Sequence, residues 1–343
     1  MRKVVIGGLL EGGSNMRKVV IGGLVSVVAA LALAVGASAG GAARAGSTSI
    51  NLAFSTWNGY IGLVIASKEG YFKKHGLNVK YTVIEDPVQR FAAFRAGKLN
   101  AIATTVDTFS REVAGGVPSV EVLGLDASVG GDGIVAQKSI TSVKQLKGQK
   151  VAVSNGSTSQ WLLAYVLKKN GLSLEDVHQI DLTAGDAGAA FAAGRVPVAV
   201  TWQPWLDRAK TNPKGHVLVD TKKYPTIIVD EVAFAPSYVQ QHPTQVKAFI
   251  AAYDDALNLI KTNPSKAFAD VTKYLGQTPA DIKATMKDVP LWSLAQSRKY
   301  YGTPSKPGQI YNVFNASAKF WKSIGQIKTL PNAKVSINGS FMR

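Results

Sequence analysis

The sequence contains no cysteine and only four histidines among its 343 residues. The lack of cysteine excludes a disulfide scaffold, a thiolate zinc site, an iron–sulfur cluster and a cysteine nucleophile. It also excludes a lipoprotein anchor, which is attached to a cysteine. The histidines are scattered and lack the short spacing of a ligand cluster. We therefore expect neither a metal site nor a cofactor.

Acidic residues are few, because 22 Asp and Glu stand against 39 Lys and Arg, giving a net charge of +17. Five basic residues and one acidic residue within positions 1–45 account for +4, which leaves +13 for the rest of the chain. Such a field attracts anions, nucleic acid or anionic membranes. The basic residues are dispersed, however, and do not form the patches that read nucleic acid. We expect a solubilising positive surface and no nucleic-acid partner.

The N-terminal region is typical of a secretory signal peptide. Residues 16–18 are basic, residues 19–35 are apolar and uncharged, and residues 37–39 are an Ala-Ser-Ala cleavage signal. An uncleaved membrane anchor is the alternative, since the apolar run is almost long enough to span a bilayer. Residues 1–9 repeat residues 16–24, so residues 1–45 are assigned to a signal peptide with a duplicated segment. We expect a cleaved, periplasmic protein.

Beyond residue 45, short apolar segments alternate with helical segments, which predicts an α/β fold built from βαβ units with mostly parallel sheets. The pattern restarts near residue 133, and the chain reads as almost wholly helical after residue 235. At this length two lobes are expected. We predict one lobe from residues 46–136 and 236–343 and a second from residues 137–235. Extended pieces at 133–137 and 232–235 are the predicted crossings between them.

Polar residues follow five of the predicted strands, where ligands bind in open parallel sheets. The sharpest case is the run Ser-Asn-Gly-Ser-Thr-Ser at residues 154–159, which places backbone N–H groups and hydroxyls at a helix start. This run is either an anion or carbonyl site or an ordinary helix cap. Trp57 and Trp202 also follow strands, and each is either a ligand-stacking aromatic or a core residue.

Several of the few acidic residues fall at predicted strand ends or crossings. They are Asp107, Asp126, Asp132, Asp230 and Glu231. Carboxylates lining a cleft favour a ligand that carries an amine or amidine group. This conflicts with an anion site unless the ligand is zwitterionic. Asp107 could alternatively cap a helix, and Asp230 could pair with a lysine or arginine.

The chain resembles the periplasmic substrate-binding proteins of ABC importers of the nitrate, sulfonate and taurine type. The residues that carry the resemblance lie in order along nearly all of the chain after residue 48. They are Ala66-Ser67-Lys68-Glu69-Gly70-Tyr71-Phe72 with His75-Gly76-Leu77, Phe94-Arg95-Ala96-Gly97-Lys98-Leu99-Asn100-Ala101, Leu146-Lys147-Gly148-Gln149-Lys150-Val151-Ala152-Val153, Ala193-Gly194, Val198-Ala199, Trp202 with Pro204, and His242-Pro243.

The resemblance implies a type II periplasmic-binding-protein fold, in which two Rossmann-like lobes joined by a two-strand hinge close on a ligand. It implies capture of a small polar solute, sulfonate-like, taurine-like or otherwise nitrogen-containing, and delivery to an ABC permease in the inner membrane, with a monomer expected. Family ligand contacts map onto Ser55, Thr56, Thr105, Asp107, Ser157, Thr158, Trp202 and Asp230. Trp57 and Asp126 join the predicted site because they lie at strand ends.

Two alternatives remain beside capture of a sulfonate-like solute. The sequence has Thr-Thr-Val-Asp at residues 104–107 where sulfonate-binding members have Gly-Ser-Ser, which leaves room for a small cationic ligand of the guanidine, amidine or amine type. The chain could also be a ligand-sensing subunit. An enzyme is not expected, because no nucleophile–base pair or Gly-x-Ser-x-Gly elbow is present. The pyrimidine-synthesising enzyme that shares this fold depends on cysteine, which this chain lacks.

Overall fold

The computed structural model describes residues 48–303 and 305–343, which belong to one compact unit. The predicted signal peptide, its duplicated segment and the predicted cleavage sites lie outside the described residues. In the part of the chain that is described, no helix has the length and apolar character needed to cross a membrane.

Ten strands in the described residues form two five-stranded sheets. They are β1 (Thr48–Phe54), β2 (Leu77–Val83), β3 (Ala101–Thr105), β4 (Val120–Ala127), β5 (Asp132–Gln137), β6 (Lys150–Val153), β7 (His178–Asp181), β8 (Val198–Trp202), β9 (Gly215–Asp220) and β10 (Val229–Phe234). The first sheet has the order β2-β1-β3-β10-β4 and the second the order β7-β6-β8-β5-β9. The α/β prediction is thereby confirmed.

Each sheet has one reversed strand. In the first sheet β10 runs antiparallel to β3 and β4, and in the second β5 runs antiparallel to β8 and β9. These two strands contain the extended pieces that the sequence predicts as crossings. The links between the sheets lie just before them, at residues 128–131 and 221–228, rather than within 133–137 and 232–235. The division into two lobes stays a prediction.

The helices of the described residues pack around the sheets and dominate the C-terminal third. They are α1 (Ile61–Lys68), α2 (Tyr71–Lys74), α3 (Pro87–Arg95), α4 (Val106–Ala114), α5 (Thr158–Lys169), α6 (Ala184–Ala192), α7 (Trp205–Ala209), α8 (Pro236–Gln241), α9 (Pro243–Thr262), α10 (Pro264–Leu275), α11 (Pro279–Thr285), α12 (Leu294–Tyr301), α13 (Gln309–Ser323) and α14 (Ala333–Ser336). Proline at the first position begins α3 and α8 to α11, where its fixed φ suits a helix and its missing N–H is not needed.

Helix α13 belongs to the cores of both sheets. Ile310 and Phe314, in its first half, pack in the hydrophobic cluster of the first sheet. Ala318 and Trp321, in its second half, pack in a cluster of the second sheet. The Trp321 indole is fully buried, and its Nε1 donates a 2.9 Å hydrogen bond to the backbone carbonyl of Asp107 in α4. One helix therefore fastens the two sheets together at the side of the molecule where α4 lies.

We expect Trp321→Phe to lower the free energy of unfolding. The substitution keeps an aromatic ring but removes one hydrogen bond to the Asp107 carbonyl, which still accepts from the Ser110 hydroxyl at 2.8 Å. The loss of such a bond costs about 0.5–1.5 kcal/mol. Trp292→Phe is the matched control, because Trp292 is only partly buried against Tyr300. Urea denaturation of both variants measures the difference. Equal losses in the two variants would contradict a bridging role for Trp321.

Candidate functional site

A small cavity lies where the two sheets meet, at the carboxyl ends of their parallel strands. It encloses about 30 Å³ of space for the centre of a water-sized sphere, which is room for about two waters. Residues from both sheets line it. They are Ser55, Trp57, Tyr60, Arg90, Thr104, Thr105, Thr108, Asp132, Ser157, Thr158, Trp202, Ile228 and Asp230.

Residues at the strand ends of the first sheet form one wall of the cavity. Ser55 follows β1, and Thr105 ends β3. Asp230 lies near the start of the reversed strand β10, where the register pairs it with Thr105 on one side and Asp126 on the other. Because β10 runs backwards, its beginning lies at the same edge as the ends of its neighbours. The reversed strand thus places a carboxylate among the strand-end hydroxyls.

The second sheet supplies the opposite wall in the same way. Trp202 ends β8, and Asp132 begins the reversed strand β5, directly opposite Trp202 in the register. Ser157 caps α5 by accepting a 3.0 Å hydrogen bond from the Ser159 amide, and its own hydroxyl donates to the Ser154 carbonyl at 2.7 Å. Ser157 is thus a helix cap that also lines the cavity, and an anion or carbonyl site at this segment stays a prediction.

Three hydrogen bonds join elements of the two sheets around the cavity. Trp202 Nε1 donates to the backbone carbonyl of Thr56 at 2.8 Å. Thr158 Oγ1 donates to Asp107 Oδ1 at 3.3 Å. Arg111 Nη2 donates to the Gly156 carbonyl at 3.0 Å. The cavity walls are thus held together by the protein itself.

Four aspartates at or next to the cavity are buried. Asp107 and Asp126 are fully buried, and Asp132 and Asp230 are each 2% exposed. None of the four forms an ion pair with any lysine, arginine or histidine that the structure describes. Burial disfavours the ionised form of an unpaired carboxyl group, so the equilibrium shifts towards the protonated form.

The pKa values follow from this burial. Desolvation raises the pKa of Asp107 to about 6, of Asp132 to about 7 and of Asp126 to about 8. Desolvation and the charge of Asp126 raise the pKa of Asp230 well above its usual range, although the Tyr60 hydroxyl donates to Asp230 Oδ1 at 2.5 Å. Asp126 and Asp230 are cross-strand partners, so ionising both would place two negative charges side by side in a buried site.

Glycine at position 59 is required by the packing around Asp126. Trp57 Nε1 donates to Asp126 Oδ2 at 3.4 Å. A Cβ atom on Gly59 would overlap both of these atoms. The backbone of the turn after β1 therefore presses directly against the Trp57–Asp126 pair.

Seven of the ten predicted site residues line the cavity. They are Ser55, Trp57, Thr105, Ser157, Thr158, Trp202 and Asp230. The remaining three lie just behind it. Thr56 donates its hydroxyl to Glu85 at 2.6 Å, Asp107 accepts from Thr108 and Thr158, and Asp126 accepts from Trp57. That any of the ten binds a ligand stays a prediction.

Sequence reasoning did not select Tyr60, Arg90 or Asp132. Asp132 carries a visible signal, an acidic residue at the start of an extended segment. Tyr60 and Arg90 reach the cavity from helical segments beside the sheet, and the sequence pattern gives no signal for such side chains. Arg90 is 5% exposed, and its Nη1 donates to the Ile84 carbonyl at 2.6 Å.

A second pair of buried acids lies outside the cavity. Glu231 follows Asp230 in β10, and Glu121 lies in β4; both are fully buried. Tyr301 donates to Glu121 Oε1 at 2.6 Å. Burial and the charge of Glu121 raise the pKa of Glu231 well above its usual range. Neither glutamate is part of the cavity lining.

Comparison with known proteins identifies the family of this chain. The family model described as NMT1/THI5 like matches residues 57–267, which is more than half of the chain. The chain belongs to this family. It is 24% identical over 225 residues to the taurine-binding periplasmic protein of Escherichia coli, an overlap of 62% of this chain and 68% of that protein.

Solved structures show the same fold. The alkanesulfonate-binding protein SsuA from Xanthomonas axonopodis pv. citri, bound to MOPS, matches with a TM-score of 0.71 and 17% identity over 85% of this chain and 98% of that one. The periplasmic nitrate-binding protein NrtA from Synechocystis PCC 6803 matches with a TM-score of 0.66 and 14% identity over 84% of each chain. The predicted periplasmic-binding-protein fold is confirmed.

We expect the free energy of unfolding to fall as the pH rises from about 4 to about 8. The folded protein keeps protons on the buried aspartates that the unfolded chain has lost, so ionisation above the unfolded pKa favours unfolding. The double variant Asp126→Asn/Asp230→Asn, which cannot ionise at these positions, should lose part of this slope.

Urea denaturation at several pH values measures the slope. Asp254→Asn, at an exposed carboxylate of α9, is the control and should keep the wild-type slope. An unchanged slope in the double variant would show that Asp126 and Asp230 are ionised in the folded protein.

Proposed function

We propose that this protein is an extracytoplasmic solute-binding protein that captures a small polar solute and delivers it to an ABC importer. The observation that carries the proposal is the cavity itself. Most of its lining residues are polar and all of them are buried, it is shared by two sheets at their strand ends, and hydrogen bonds join its two walls. Such a cavity encloses a ligand of a few atoms, and the ligand can enter only if the walls part.

The relatives support this reading. Family membership and the fold connect the chain with proteins named for binding taurine, alkanesulfonates and nitrate. These names share the binding of a small polar solute. The implied partner is an ABC permease in the inner membrane.

Closure requires hinges, and we propose residues 128–131 and 221–228 for them. These two segments are the links that carry the chain from one sheet to the other and back. In this scheme Trp202 and Thr158 close onto the first sheet when a ligand is held, through their bonds to Thr56 and Asp107. The ten predicted site residues are proposed to surround the ligand, joined by Tyr60, Arg90 and Asp132.

We propose binding without catalysis. Ser157, the hydroxyl best placed at a helix start, donates to a backbone carbonyl rather than to a base. The lining residues that the structure describes include no histidine. A nucleophile without a neighbouring base is not activated.

We also propose that the protein acts as a monomer.

We expect purified residues 46–343 to be stabilised by at least one member of a panel of taurine, ethanesulfonate, nitrate, guanidinium, urea and methylammonium. A ligand that binds only the folded protein adds roughly 2.7 kcal/mol of stability at a hundredfold excess over Kd. Thermal denaturation detects the binder, and small-angle scattering should then show a smaller radius of gyration with that binder.

Ser55→Phe should abolish both effects, because a phenyl ring fills a cavity with room for about two waters. Ser305→Phe, at an exposed position, is the matched control and should bind as the wild type does. Binding that persists in Ser55→Phe would place the site elsewhere. Stabilisation without any change in scattering would contradict closure.

We expect the exported protein to begin between residues 40 and 46. The small residues that follow the apolar run are the sequence that signal peptidase recognises. Intact-mass measurement of protein from the periplasmic fraction locates the start. Retention of residues 19–35 would favour the membrane-anchor alternative.

A further inference from the structure

Two carboxyl groups in the cavity wall lack part of their hydrogen bonding. Asp132, from the second sheet, and Asp230, from the first, both line it. Each keeps one carboxylate oxygen, Oδ2 in both cases, to which no described residue donates. Each side chain is 2% exposed, so bulk water does not compensate either oxygen. Two side chains that each keep an unsatisfied acceptor therefore line one small cavity from opposite walls.

The donors that an anion would need are largely in use. The indole N–H of Trp202 goes to the Thr56 carbonyl and that of Trp57 to Asp126. The hydroxyls of Ser157 and Thr158 donate to the Ser154 carbonyl and to Asp107. These bonds leave Arg90 and the hydroxyls of Ser55 and Thr104 as further possible donors.

Carboxyl groups outnumber cations around the cavity. Arg90 is the one cation among the described lining residues, and it forms no ion pair. The Arg111 guanidinium, in α4, is engaged by Glu112 and the Gly156 carbonyl. Against Arg90 stand Asp132 and Asp230 in the wall and Asp107 and Asp126 behind it. An organic cation would favour the ionised form of these carboxyl groups, whereas an anion would favour their protonated form.

Resting on the proposed function, we propose that the solute is a small organic cation, with N–H groups that bridge Asp132 of one sheet and Asp230 of the other. Charge-assisted hydrogen bonds to two carboxylates satisfy both free oxygens and draw the two walls together. The aromatic faces of Trp57 and Trp202 suit a cation as well. The cavity volume limits the ligand to a few heavy atoms, as in an amidinium, a guanidinium or a primary ammonium.

Calorimetric titration of purified residues 46–343 tests this with guanidinium, acetamidinium and methylammonium chlorides, with sodium ethanesulfonate and nitrate, with taurine, and with magnesium and calcium chlorides. We expect at least one organic cation to bind more tightly than every anion, taurine and either metal ion. Its affinity should fall as the pH is lowered from about 8 to about 6, because protonated aspartates cannot hold a cation. The groups that set this dependence are Asp107, Asp126, Asp132 and Asp230, with Tyr60, Arg90, Tyr253 and Tyr274 packed around them.

Asp230→Asn and Asp132→Asn should each lower the affinity for the organic cation by roughly 10- to 150-fold, the range expected for a lost charge-assisted hydrogen bond. Glu231→Gln is the matched control. It changes an equally buried carboxyl in the same strand and should leave the affinity within about twofold, because Glu231 does not line the cavity. Circular dichroism establishes that each variant is folded, and the pH dependence of the wild type is independent of the variants.

Tighter binding of ethanesulfonate, nitrate or taurine than of any organic cation would overturn this proposal and leave the solute-binding function standing. Tighter binding of magnesium or calcium would overturn it in favour of a metal ion. Equal loss of affinity in Glu231→Gln would overturn the assignment to Asp132 and Asp230. Absence of binding by every probe would overturn it and count against the proposed function as well.

Discussion

Burial of unpaired aspartates where two sheets meet is the constraint on which the rest of this structure depends. The register of β4 and β10 places Asp126 beside Asp230, and β5 brings Asp132 to the facing wall. A carboxylate removed from water must be protonated, hydrogen-bonded or paired with a positive charge. The protein supplies hydrogen bonds from Tyr60 and Trp57, but no described lysine or arginine pairs with these groups. The remaining compensation comes from protons or from outside the chain.

The reversed strands explain how these groups come together. In a purely parallel sheet the edge that binds ligands is built from strand ends and the loops that follow them. Here β5 and β10 add their first residues to that edge, and those residues carry Asp132 and Asp230. The same strands are the ones that follow the two links between the sheets. The carboxylates therefore lie next to the places where the sheets can move relative to each other.

Much of this was predictable from the sequence, because its signals are local. Alternating apolar segments predict the strands, and hydroxyl residues after them predict Ser55, Thr105 and Ser157 in the cavity wall. Tyr60 and Arg90 were not predictable, since their place depends on how helical segments pack beside the sheet. The predicted crossings lie several residues beyond the observed links along the chain. The reason is that an extended segment has the same sequence pattern whether it links two sheets or pairs within one. Strand β9 was missed for a related reason, since an edge strand that is only half-buried has a weak apolar pattern.

The two tryptophans show how a single residue can be part of the core and also line the cavity. Trp57 and Trp202 are 4% and 5% exposed and pack in the core of the first sheet, as a structural tryptophan would. Both also present part of their surface to the cavity. Their N–H groups are spent on Asp126 and on Thr56, so only their ring faces remain for a ligand. Packing and recognition use different parts of the same side chain.

Helix α13 has a consequence for how the molecule comes apart. Its first half is part of one core and its second half part of the other, with Trp321 tied to α4. Loss of either sheet would strip apolar surface from one end of this helix and weaken its hold on the other sheet. We therefore expect the two sheets to unfold cooperatively, with the coupling between them carried by the C-terminal segment.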